Sequence, residues 1–94
     1  MGLTPITKYV LSDHAEKEMA RRGLGKGLIR SVLEEPEQQE QVREGRIVLQ
    51  RRIHVGKPDR MYLIRVFVDI DRQPPEVVTA YRTGKIEKYW RGEI

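Results

Sequence analysis

The sequence predicts an α+β fold in which two N-terminal helices pack on one face of a three- to four-stranded antiparallel sheet. Two observations carry this prediction. Apolar residues recur with the helical period of 3.6 as far as residue 35, and with the strand period of 2 from residue 39 onward. Helices followed by a run of strands are typical of α+β proteins. Because 94 residues suffice for one two-layer core, we expect residues 1–94 to form a single domain.

The first helix has clear boundary signals. After a short β-prone or extended segment at Thr7–Leu11, Ser12 is a favourable N-cap residue. Asp13 and Glu16 follow in the first turn, where the helix dipole favours acidic side chains. Gly23 supplies the C-terminal stop. We therefore predict a helix that begins after Ser12 and ends before Gly23.

The second helix is predicted from about Lys26 to Glu35, where the following proline ends it. Its apolar residues form one amphipathic face, made of Leu28, Ile29, Val32 and Leu33. The glycine-rich connection at residues 23–27 makes the two helices a helical hairpin.

Three strands are predicted at Arg46–Val55, Arg60–Asp71 and Glu76–Thr83, with turns between them at residues 56–59 and 72–75. Arg60–Asp71 is largely apolar on both faces, which is typical of a central strand. Since the helices cover one face of the sheet, the other face is left to solvent or to a ligand.

Arg51 and Arg65 interrupt apolar strand faces. A buried guanidinium needs a partner, and we predict that Asp69 or Glu76 provides it.

Charge is distributed unevenly along the chain. The net charge is +4, made of −1 in residues 1–45 and +5 in residues 46–94. A basic half of this kind is the electrostatic footprint expected of a protein with a nucleic-acid partner. The chain has no cysteine, which excludes disulfides, thiolate zinc sites and cysteine nucleophiles. The two histidines have no metal-ligand spacing, so we predict neither a metal nor another cofactor.

No apolar run approaches the roughly 20 residues that span a bilayer, and residues 1–7 lack the regions of a signal peptide. We therefore expect a soluble, cytoplasmic protein without a membrane partner, whose oligomeric state the sequence leaves open.

His14 is a candidate acid or base. It shares a helix face with Glu18 and Arg22, and imidazole beside a carboxylate suits proton transfer near neutral pH. The alternative, favoured from the residues alone, is an exposed polar stripe. His54 shares a strand face with Arg46 and Arg52. That arrangement fits either a phosphate-binding surface or a solvated strand end.

The stretch from Thr79 to Trp90 passes from a buried strand into hydroxyl, cationic and aromatic residues. Arg82 and Lys85 could stabilise the phosphorane formed when a ribose 2′-OH attacks its phosphate. Tyrosine or tryptophan could stack on an unpaired base. For Trp90 we favour packing, since a lone tryptophan more often packs than binds.

The motifs that carry a family resemblance are Ser12-x-His14-Ala15, Arg22-Gly23-Leu24, Ile29-x-x-Val32-Leu33-x-x-Pro36 and Val78-Thr79-x-Tyr81-Arg82-Thr83-x-Lys85-Ile86-x-Lys88-Tyr89. They span residues ~9–90 and resemble a small prokaryotic domain of unknown function. That domain is similar to RelE/ParE-type toxins of the barnase–EndoU–colicin–RelE nuclease superfamily.

The resemblance implies a RelE-like fold and metal-independent RNA cleavage through a 2′,3′-cyclic phosphate. Carried over by position, His14 is the acid or base, and Arg82, Thr83 and Lys85 line the phosphate site. The predicted catalytic set is therefore His14, Arg82 and Lys85. The residues predicted to bind RNA are Arg22, Arg46, Arg52, His54, Tyr81, Thr83 and Lys88.

The predicted function is a metal-independent endoribonuclease, as in the toxin of a toxin–antitoxin pair. Its expected partners are RNA, including ribosome-bound mRNA, and an acidic antitoxin protein. The alternatives are a non-catalytic RNA-binding module and a protein-interaction module on the same fold.

Overall fold

A computed structural model describes residues 3–92 of the chain. Its elements, in chain order, are β1 (Val10–Leu11), α1 (Asp13–Arg22), α2 (Lys26–Glu34), β2 (Gln38–Arg43), β3 (Arg46–Val55), β4 (Arg60–Asp69), β5 (Glu76–Thr83) and α3 (Ile86–Tyr89).

The five strands form one mixed sheet in the order β1-β5-β4-β3-β2. The pairs β2–β3, β3–β4 and β4–β5 are antiparallel, whereas β1 runs parallel to β5. The prediction of an α+β fold is confirmed, but the prediction of three or four purely antiparallel strands is wrong. Two strands, β1 and β2, are additional to the three predicted ranges, and β1 lies within the segment predicted to be β-prone or extended. At two residues it is too short to show a strand period, and its pairing depends on a distant strand.

The helix boundaries follow from local chemistry. Ser12 caps α1, because its side-chain oxygen accepts a hydrogen bond of 2.9 Å from the Ala15 N–H. Gly23 ends α1 in the left-handed conformation, at φ 69°. Both predictions are confirmed, and α2 ends one residue before the predicted Glu35.

Both helices and one face of the sheet contribute to a single hydrophobic cluster. Fully burying a valine, leucine or isoleucine side chain contributes about 1.5–3 kcal/mol, so this face holds the helices in place. The fully buried residues that α2 and the sheet supply to the cluster are Val32, Leu33, Leu49, Ile64, Val66, Val68, Val77 and Ala80.

The opposite face of the sheet is partly covered by the C-terminal segment, residues 85–92. Gln50 Nε2 donates to the Tyr89 carbonyl at 3.2 Å, and Gln38 Nε2 donates to the Arg91 carbonyl at 2.6 Å. We call this face, away from α1 and α2, the outer face.

The predicted partners of Arg51 and Arg65 are wrong. Arg51 Nη1 donates to the Glu35 carbonyl at 2.6 Å at the end of α2, and among the described residues 3–92 Arg65 binds no carboxylate. Asp69 lies opposite Arg46 in the β3–β4 register and binds that guanidinium instead. Four residues along a strand separate Arg65 from Asp69 by about 13 Å, too far for a direct contact.

Within residues 3–92, no helix is long and apolar enough to cross a bilayer. The longest, α1, has ten residues.

Candidate functional site

The outer face carries most of the polar residues that the strands contribute. Strand register places every second residue of β3 and β4 there, because successive side chains alternate between the two faces. The β4–β5 register adds four residues of β5. These outer-face residues of β5 are Glu76, Thr79, Tyr81 and Thr83.

His14 borders a shallow pocket where the N-terminus of α1 meets the edge of β5. The pocket has a volume of about 460 Å³. Ser12 holds α1 here, since its N–H donates to the Val77 carbonyl at 3.0 Å and its hydroxyl approaches the Val78 carbonyl at 3.5 Å. We call this the histidine pocket; its lining residues are Ser12, His14, Arg46, Asp69, Arg72, Glu76, Val78 and Thr79.

Two arginines and two carboxylates set the electrostatics of the histidine pocket. Arg46 binds Asp69 through two hydrogen bonds, of 2.6 and 3.2 Å. The hydrogen bond from Arg46 holds the pKa of the Asp69 carboxyl below its ordinary value. Arg72 lies 3.4 Å from Glu76 and 4.0 Å from Asp69, and its side chain is 61% exposed. Exposed ion pairs are weak, so Arg72 can turn toward an incoming anion at little cost.

The histidine pocket therefore combines an exposed imidazole, a fixed and a movable guanidinium, and a threonine hydroxyl. Imidazole can accept or donate a proton, and guanidinium groups match the geometry of phosphate oxygens. This set of groups suits chemistry on a phosphodiester.

The other two predicted catalytic residues lie away from the histidine pocket. Arg82 points to the other face of β5 from Thr79, and its guanidinium lies 4.8 Å from the ring centre of Tyr62. Arg82 is also three residues along β5 from Thr79, which corresponds to about 10 Å of strand. Lys85 lies beyond the end of β5, where its N–H donates to the Thr83 hydroxyl at 3.0 Å. The structure does not bring His14, Arg82 and Lys85 together.

Three of the residues predicted to bind RNA, Arg22, Arg52 and His54, lie outside both the histidine pocket and the Arg65–Tyr81 contact, and each contacts another group of the fold. Arg22 Nη1 donates to the Ala80 carbonyl at 2.7 Å and lies 3.2 Å from Glu18. Arg52 pairs with Glu37 at 3.0 Å and stacks 4.1 Å from the Trp90 ring centre. His54 Nδ1 lies 2.6 Å from Asp59, in the hairpin between β3 and β4.

A fourth, Arg46, lines the histidine pocket. The other three, Tyr81, Thr83 and Lys88, lie on or beside the outer face.

Sequence reasoning missed Arg65 as a functional candidate. Its Nη1 donates to the Tyr81 hydroxyl at 2.6 Å, and its guanidinium lies 4.2 Å from the Tyr89 ring centre. Burial raises the pKa of Tyr81, while the hydrogen bond with Tyr81 and the neighbouring Lys88 lower the pKa of Tyr89. The signal available in the sequence was an arginine, Arg65, and a tyrosine, Tyr81, on neighbouring predicted strands. The two residues lie opposite each other in the β4–β5 register.

Among residues 3–92, no three histidine, aspartate or glutamate side chains lie close enough together to hold a metal ion.

A protein-family model, described as a domain of unknown function (DUF4258), matches residues 11–82 of the chain. The match begins just before the cap of α1 and ends within β5, so it contains every lining residue of the histidine pocket and all of β3 and β4. No curated protein and no solved structure matches the chain.

Proposed function

The chain belongs to the DUF4258 family of domains of unknown function, and we propose that it is a metal-independent endoribonuclease acting from the histidine pocket. The observation that carries this proposal is that His14 lies in one pocket with Arg46, Arg72 and the Thr79 hydroxyl. A group for proton transfer beside two cations that can bind phosphate oxygens suits RNA transesterification.

In the proposed reaction, His14 accepts the proton of a ribose 2′-OH as the 2′-oxygen attacks the adjoining phosphorus. Arg46 and Arg72 stabilise the charge that develops on the phosphorane oxygens. The bond from phosphorus to the 5′-oxygen then breaks, and that oxygen takes a proton from water at the open mouth of the pocket. The protonated His14 gives its proton to the hydroxide that remains, which restores the neutral imidazole. The products are a 2′,3′-cyclic phosphate and a 5′-hydroxyl.

We further propose that the fold is RelE-like and that the protein acts as a toxin in the cytoplasm. The basic half of the chain, residues 46–94, would bind RNA or ribosome-bound mRNA and would attract an acidic antitoxin. Arg82 and Lys85, which lie outside the histidine pocket, would contact RNA beyond the point of cleavage.

The test is incubation of the protein with a labelled mixed-sequence RNA in EDTA. We expect fragments that end in a 2′,3′-cyclic phosphate, and a loss of about 10²-fold or more in rate for His14→Ala and His14→Gln. Arg30→Gln is the matched control, because Arg30 is exposed on α2, on the other side of the sheet. Cleavage at equal rates by the wild type and both His14 variants would rule out His14 as the acid or base.

A non-catalytic RNA-binding module is the second candidate. The observation that favours it is the pairing of Arg46 with Asp69 and of Arg72 with Glu76, which balances the charge in the histidine pocket. For such a module, RNA would be retained without product over hours. The logarithm of the binding constant would fall linearly with the logarithm of salt concentration.

A further inference from the structure

Within residues 3–92, Arg65 is a half-buried cation without an anionic partner. It lies at the middle of β4 on the outer face, and its Nε donates to Gln50 Oε1 at 3.0 Å. Its other neighbours are the Tyr81 hydroxyl and the rings of Phe67, Tyr81 and Tyr89. Across residues 3–92, no carboxylate pairs with it. Removing a guanidinium from water without a counter-charge is costly, so this position favours an anion supplied from outside.

A pocket of about 200 Å³ opens beside Arg65, which we call the arginine pocket. Three cations and one carboxylate line it, and the carboxylate, Glu40, is bound by Arg91. Lys88 is exposed, and within the described chain it makes no ion pair. The excess of positive charge therefore lies at Arg65 and Lys88. The full lining is Glu40, Arg65, Lys88, Tyr89, Trp90 and Arg91.

The C-terminal wall of the arginine pocket is held in place before any ligand arrives. Gln50 is 4% exposed, and its amide joins Arg65 to the Tyr89 carbonyl and to Gln38. Gln38 in turn accepts from the Arg91 N–H at 3.0 Å. A site whose groups are already ordered loses less entropy when it binds a ligand.

We propose that the arginine pocket binds a phosphate group, held by Arg65 and Lys88 against the ring of Tyr89. Guanidinium and ammonium groups are the side chains that bind phosphate oxygens most strongly. The pocket is separate from the histidine pocket, since about 13 Å of strand β4 lies between Arg65 and Asp69. The proposal concerns binding, so it does not depend on RNA cleavage by His14.

Trp90 is the chain's single tryptophan and lines the arginine pocket, so its fluorescence reports on this site. The experiment is a titration with inorganic phosphate at constant ionic strength, with chloride replaced stepwise. We expect a saturable change in emission for the wild type and an affinity weakened about tenfold in Lys88→Gln and in Arg65→Lys. Lys88 is exposed, so its substitution leaves the fold intact even if Arg65→Lys does not.

Arg30→Gln removes the same charge from the other side of the sheet and should titrate like the wild type. No saturable change in the wild type, or equal affinities in the wild type and Lys88→Gln, would overturn the proposal.

Uridine 5′-monophosphate and uridine identify the source of the phosphate. Tighter binding of the nucleotide than of inorganic phosphate would show that the phosphate arrives on a nucleotide. Equal binding of the two would show that the phosphate alone is recognised. Uridine binding as tightly as its monophosphate would contradict the proposal, because the base alone would then account for the affinity. The cleavage test of His14 in EDTA is read separately, so either proposal can fail without the other.

Discussion

Arg22 Nη1 lies 2.7 Å from the carbonyl oxygen of Ala80, a residue 58 positions away in the chain. Strand β1 pairs with β5 as far as Val77, so the edge of β5 beyond that point has no neighbouring strand. The guanidinium satisfies an edge carbonyl there and joins the end of α1 to the sheet. An uncovered strand edge is a template for unwanted pairing, and α1 with Arg22 covers part of this one.

Replacing Arg22 by methionine should keep the packing of its aliphatic stem and remove the hydrogen bond to Ala80. We expect a loss of about 1–2 kcal/mol in the free energy of unfolding. Urea denaturation of Arg22→Met beside Arg30→Met measures the difference. Equal midpoints for the two variants would show that this hydrogen bond adds nothing to stability.

The Arg46–Asp69 pair predicts a dependence of stability on pH. Arg46 lowers the pKa of Asp69 in the folded protein below its ordinary value of 3.8. The stabilisation is therefore complete above that value and is lost as pH falls through the lower, folded-state pKa. In Asp69→Asn the destabilisation relative to the wild type should be large at neutral pH and should shrink at pH values below 3.8. Urea denaturation of both proteins above and below that pH measures the difference in their free energies of unfolding. A difference that does not change with pH would contradict a lowered pKa of Asp69 in the folded protein.

Gln50 is predicted to hold the C-terminal segment on the outer face. Gln50→Leu removes the donor to the Tyr89 carbonyl and the acceptor for Arg65, and it replaces the amide by an apolar side chain of similar size. We expect a loss of about 1–3 kcal/mol for each partner left buried without a hydrogen bond. The emission of Trp90 should shift to longer wavelength as the segment loosens. Unchanged emission would show that Gln50 does not hold the C-terminal segment in place.

Two glycines should respond oppositely to substitution by alanine. Gly45 has φ +82°, and a Cβ there would lie 2.6 Å from Asp71 Oδ2, so Gly45→Ala should cost about 1–2 kcal/mol. Gly27 lies in α2 with no atom within 4 Å of an added Cβ, so Gly27→Ala should stabilise the protein by about 0.5–1 kcal/mol. Thermal denaturation of both variants checks the two signs together.

The parts of the fold that depend on local chemistry could be predicted from the sequence. The cap at Ser12 and the left-handed Gly23 fixed α1, and the alternation of apolar residues in β3 and β4 fixed which faces they present. The parallel pairing of β1 with β5 could not be predicted, because the two residues of β1 carry no period and their partners are the distant residues 76–77. The position of residues 85–92 across the outer face depends on buried amides such as Gln50.

In the candidate sites, too, the residue types could be predicted from the sequence, whereas their neighbours depend on the fold. His14 was identified as a residue type with suitable chemistry, but its neighbours Arg46 and Arg72 come from a strand and a turn that only the register brings to it. From the sequence, Arg65 is predicted to pair with Asp69 or Glu76. The register gives Asp69 to Arg46 and leaves Arg65 among tyrosines, which spacing along the chain could not reveal.

The parallel pairing of β1 with β5 also bears on the order of folding. Ser12 and Val78, where α1 meets the strand, are 66 positions apart, whereas β2 to β5 are joined to one another by short turns. Contacts distant in sequence have the larger loop-closure cost, so the β2–β5 meander should form first and the N-terminal strand should dock on it last. The histidine pocket would then be completed in the final step, since Ser12 and His14 reach it only when that strand is in place.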